Sequence, residues 1–62
     1  MMVDIHRILK EKGKERYVSL EELSKDLNYD IYNDKQLLEE MKSNAFIKFD
    51  DSNGEELFRF NV

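Results

Sequence analysis

The sequence contains no cysteine, so neither a disulfide nor a thiolate metal site can brace the fold. It has no long apolar run, whereas a membrane-spanning helix needs about twenty such residues in succession. A charged-then-apolar leader is missing as well, so secretion is not expected and a soluble intracellular protein is. Neither a glycine-rich phosphate loop nor an internal repeat is visible. Length sets a further bound: 62 residues leave room for one hydrophobic core and no second domain. A chain of this size buries only about 60% of the surface its unfolded form exposes, so its stability is marginal. A single domain spanning 1–62 is expected, as a fragment of a larger protein, with the doubled Met1-Met2 as an added start codon.

Charge is plentiful. Fourteen acidic residues stand against ten basic ones, a net charge of −4, which is a poor overall match for a polyanion. Charged residues make up 39% of the chain, yet Ile, Leu, Val and Phe recur with a clear period, which argues for a folded protein.

That period gives the elements. Met2, Ile5, Ile8 and Leu9 mark an amphipathic helix over roughly 3–12, with Gly13 as the residue that ends it. Arg16 to Ser19 form a brief edge strand. Ser19-Leu20-Glu21-Glu22 predicts a capping box, with the Ser19 hydroxyl accepting from the Glu22 amide and Glu22 reaching back. Leu20, Leu23 and Leu27 carry the second helix, and Asn28 to Tyr32 form a turn. Asn33, followed by Gln36, caps a third helix with Leu37, Leu38, Met41 and Ala45 as its buried stripe. The period then changes to two. Ile47 and Phe49 alternate with Lys48, and Phe58, Phe60 and Val62 with Arg59 and Asn61. Asn53-Gly54 between them predicts a two-residue type I′ hairpin. That register sets Phe49 opposite Phe58 and Ile47 opposite Phe60, all four on the core face. The expected fold class is α+β: a winged helix-turn-helix of three helices and a small antiparallel sheet, made of a short strand and a C-terminal hairpin wing.

No set of groups suited to catalysis converges in this pattern, so an enzyme is not expected, nor is a cofactor. His6, the one histidine, has no cysteine neighbours and reads as a helix residue rather than a zinc ligand. Asp50, Asp51, Glu55 and Glu56 around the hairpin turn lack the alternate spacing of a calcium loop. In a DNA-binding protein of this fold the third helix enters the major groove and the wing touches phosphates. Here that helix offers Lys35, Gln36, Lys42 and Asn44, but also Asp34, Glu39 and Glu40, and no arginine for a bidentate guanine contact. On the wing, Lys48 falls opposite Arg59. Arg7, Lys10 and Lys14 form another basic group beside the first helix. Tyr29 and Tyr32 bracket the turn between helices two and three, where an exposed ring would make a protein-contact anchor.

Ser19-Leu20-Glu21-Glu22-Leu23, Asp30-Ile31, Lys35-Gln36, Leu38, Asn44, Ile47 and the closing Phe60-Asn61-Val62 resemble a known family. It is the central winged-helix region of the beta subunit of general transcription factor IIE, and the likeness spans residues 17–62. There a Ser/Thr-Leu-x-Glu cap opens the second helix, a Lys-Gln pair leads the third, and an aromatic strand ends in Asn-Val. The resemblance implies a nuclear role in RNA polymerase II initiation, alongside the alpha subunit and polymerase. It implies contact with promoter DNA without strong sequence preference, through Lys35, Lys42, Lys48 and Arg59. Glu39, Glu40 and the carboxylates near the wing tip depart from such a surface and favour a protein-facing domain. The expected partners are therefore protein subunits of a transcription complex, held through Tyr29 and Tyr32, with weak nonspecific binding of double-stranded DNA. A small molecule or a membrane is not expected. The alternatives are a sequence-specific DNA-binding regulator and a protein-interaction winged helix outside transcription.

Overall fold

The computed structural model describes residues 1–13 and 15–61. Lys14 of the basic group and Val62 of the last strand lie outside the described residues. The chain runs α1 (Met2–Lys12), β1 (Val18–Ser19), α2 (Leu20–Leu27), a 3₁₀ turn at Ile31–Asn33, α3 (Lys35–Ser43), β2 (Ile47–Asp50) and β3 (Leu57–Phe60). The fold is α+β, with three helices and a three-stranded antiparallel sheet of order β1-β3-β2. Among the described residues no helix is long and apolar enough to cross a membrane.

Each element has a local cause. Ile5, Ile8 and Leu9 form the buried stripe of α1, which ends where Gly13 takes φ 119°, a backbone conformation that side chains rarely adopt. Ser19 caps α2, its Oγ accepting from the Glu22 amide at 3.1 Å. Only that half of the expected capping box forms. The Glu22 carboxylate turns instead to Lys12 Nζ at 2.5 Å and Arg16 at 3.5 Å, because a charged partner outcompetes a neutral backbone amide. Asn28 closes α2 in the left-handed conformation (φ 53°), which asparagine tolerates better than most side chains.

The cap of α3 is Asp34, one residue beyond the expected Asn33. Asn33 lies within the 3₁₀ turn and donates its side-chain amide to the Asp30 carboxylate. Asp34 follows the turn and closes it with its amide on the Ile31 carbonyl, while its Oδ1 accepts from the Leu37 amide at 3.0 Å. The helix stops at Ser43, so Ala45, expected in the buried stripe, is exposed beyond it.

The hairpin has the expected register: Ile47 pairs with Phe60, Lys48 with Arg59 and Phe49 with Phe58. Its turn differs. Among the described non-glycine residues only Asn28 has positive φ, so Asn53-Gly54 is not a type I′ turn. The ladder stops at Asp50 and Leu57, and residues 51–56 form a wider connection closed by the Gly54 amide on the Asp51 carbonyl at 3.0 Å. Continuing the register would set Asp51 directly opposite Glu56, two carboxylates whose repulsion a ladder pair does not offset. The Asp50 carboxylate meanwhile starts the reversal early by accepting from Ser52 Oγ at 3.1 Å.

The core lies between the helices and one face of the sheet. Phe58 on the central strand is fully buried, with Ile5 and Leu9 from α1, Leu23 from α2 and Met41 from α3. Ile31 enters the same core from the 3₁₀ turn with no exposed surface. Phe49 is only half-buried, against the edge of this cluster.

Candidate interaction surfaces

The four cations expected to face DNA do not form one surface. Lys35 and Lys42 are two turns apart on α3, roughly 10 Å along its axis. Lys35 is exposed. The Lys42 ammonium sits 2.6 Å from the Glu56 carboxylate on the hairpin and 5.0 Å from the centre of the Phe49 ring. Lys48 and Arg59 are cross-strand neighbours on the outer face of the sheet, and the Arg59 guanidinium lies over the Tyr17 ring at 5.6 Å. Two like charges meet there, but stacking draws one of them toward β1.

Helix geometry places the other groups. With Leu37 and Met41 turned into the core, steps of about 100° per residue put Glu39 at the centre of the solvent side of α3, with Lys35, Gln36, Lys42 and Ser43 around it and Glu40 at its flank. The outward face of the helix is therefore mixed in charge, with Glu39 and Glu40 beside Lys35, and with Lys42 held by Glu56. Asp50, Asp51, Glu55 and Glu56 add four carboxylates at the hairpin tip.

The basic group on α1 is similarly engaged. Arg7 pairs with Glu11 at 3.1 Å and Asp4 at 3.7 Å, and Lys10 lies 4.9 Å from the centre of the Phe60 ring. Lys12 joins α1 to α2, binding Glu22 and, at 2.9 Å, Asp26. The hydrogen bonds it donates to Glu22 and then Asp26 hold its ammonium above the usual lysine pKa. His6 has a packing role: its Nε2 is 3.2 Å from Asn44 Oδ1, and its ring meets Phe46 and Phe60 edge-on. It thereby joins α1 to the end of α3.

Tyr29 and Tyr32 are both exposed, by 40% and 56%. The Tyr29 hydroxyl donates to Asp34 Oδ2 at 2.6 Å. That bond raises the tyrosine pKa and, with the Leu37 amide, lowers the Asp34 carboxyl below its ordinary value. The two rings line an open groove of about 390 Å³, together with Glu21, Lys25, Asn28 and Asp30. Only the tyrosines had been marked by the sequence; Glu21 and Lys25 come from α2, and no local spacing connects them to the turn.

A third exposed aromatic was not marked by the sequence. Phe46 is 58% exposed with its ring edge-on to His6, which lines a separate open groove with Val3, itself 78% exposed. Parity was the available signal, since an inward Ile47 turns Phe46 outward together with Lys48.

No known protein family, curated protein or solved structure matches this chain.

Proposed function

We propose that this chain is a winged helix acting as a non-catalytic protein-docking module, with at most weak, backbone-directed contact to double-stranded DNA. The element order and the β1-β3-β2 sheet suit a winged helix: α2 and α3 form the helix-turn-helix, and β2 and β3 the wing. The observation that carries the docking reading is the solvent face of α3. In a DNA reader this face would meet base edges and phosphates, and here it presents Glu39 and Glu40 beside Lys35. Lys42, which would offset them, is drawn away to Glu56. The wing tip brings four more carboxylates to where a phosphate backbone would lie.

Lys48 and Arg59, side by side on the outer sheet face, and Lys35 on α3 are the cations that support the weak DNA component. The setting we assign is a nuclear transcription-initiation complex whose protein subunits are the partners. It rests on the resemblance of residues 17–62 to the beta subunit of factor IIE.

An amide NMR titration with a short mixed-sequence DNA duplex, at low and then moderate salt, tests the reading. Small shifts near Lys35, Lys48 and Arg59 that fade with salt are expected, and Lys48→Glu with Arg59→Glu should remove them. Tight binding that discriminates between duplex sequences, with shifts along α3, would overturn it in favour of a sequence-specific regulator.

A further inference from the structure

We propose that the groove between the end of α2 and the 3₁₀ turn, walled by Tyr29 and Tyr32, receives a Lys- or Arg-bearing segment of a partner protein. The proposal rests on the docking reading and gives the partner's chemistry.

The first argument is the state of the two rings. In a chain short of core, a tyrosine 56% exposed and another 40% exposed leave apolar surface in water beside an open groove of about 390 Å³. The second is that the turn carrying both rings, and the Tyr29 side chain, are already positioned. Ile31, between them in sequence, is fully buried and anchors the turn, and its amide donates to Ser24 Oγ at 3.4 Å. Asn28 fixes the chain reversal, and Asp34 holds the Tyr29 hydroxyl. Folding has therefore met most of the ordering cost that a partner would otherwise bear.

Charge selects the occupant. Glu21 and Asp30 rim the groove and Asp34 stands behind Tyr29, three carboxylates against the single ammonium of Lys25. The Lys25–Glu21 pair is 3.6 Å apart with both side chains more than 70% exposed, so an incoming cation displaces it at little cost. Aromatic faces attract cations, and adjacent carboxylates strengthen that preference. The groove beside Phe46 has a weaker bias, because Glu40 is the one charged side chain among its lining residues. A basic segment fits the tyrosine groove on both counts, ring face and charge.

The test uses a labelled six-residue peptide alternating Arg and Gly, and the same peptide with Glu for Arg. Binding is followed by fluorescence anisotropy and by amide NMR at low salt. The Arg peptide is expected to bind, with shifts centred on Glu21, Tyr29, Asp30 and Tyr32. Tyr32→Leu should weaken it about five- to tenfold by removing the ring face. Lys25→Glu should strengthen it, a gain that damage to the fold cannot produce. Shifts centred on residues 50–56 and unaffected by Tyr32→Leu would overturn the groove and leave the docking reading standing. So would preference for the Glu peptide, with shifts near Lys48. If neither peptide moves any amide and duplex DNA does, both the groove and the docking reading are overturned.

Discussion

Asp34 serves two neighbours at once: it caps α3 through the Leu37 amide and accepts the Tyr29 hydroxyl. Both contacts favour the carboxylate, so its folded pKa lies below the unfolded value of 3.8. The stability it contributes is complete above that unfolded value and is lost as pH falls through the lower, folded one. Urea midpoints measured between about pH 5 and pH 2 should therefore fall, and fall less in Asp34→Asn, which keeps a capping oxygen without a titrating charge. An unchanged slope in the variant would remove Asp34 from the acid response. Lys12 has the opposite sign. Its folded pKa lies above 10.5, so its contribution is complete below that value and is lost as pH rises through the folded pKa.

Within the sheet, the central strand carries the most buried surface. Phe58 lies between Val18 on one side and Phe49 on the other and is fully buried, whereas Phe49 is half-buried on an outer strand. Phe58→Ala should cost on the order of 3–5 kcal/mol and Phe49→Ala about 1–2 kcal/mol, read from chemical denaturation. Equal losses would mean that the hairpin is closed over Phe49 more tightly than this structure has it. The same contrast shows where patterning stops. Alternation placed both rings on the core face correctly, but depth depends on strand order, and strand order follows from long-range pairing that no local period encodes.

At the scale of the whole chain, the helices, the strands and the hairpin register followed from periods and caps that operate within a few residues. The departures share a cause, since each depends on a group that local patterning ignored. Glu22 left its capping box for Lys12, ten positions away. Asn53-Gly54 lost its tight turn because the flanking carboxylates could not face each other across a ladder. Asp34 took the cap because a 3₁₀ turn had consumed Asn33. The groove was half legible: its tyrosines stood out, but the acidic rim needed α2 folded beside the turn. The sheet also makes a global prediction. A chain truncated after Glu56 loses β3, and with it the pairing of both β1 and β2, so its thermal melt by circular dichroism should lose cooperativity. A cooperative melt would show that the helices suffice. The order β1-β3-β2 has one more consequence, in time rather than space. The strand that joins the other two is the last to be synthesised, so no sheet pairing can begin until Leu57 to Phe60 have left the ribosome. Until then the nascent chain must be kept from its neighbours with two unpaired strands and a half-open core, and it folds in one late step rather than progressively.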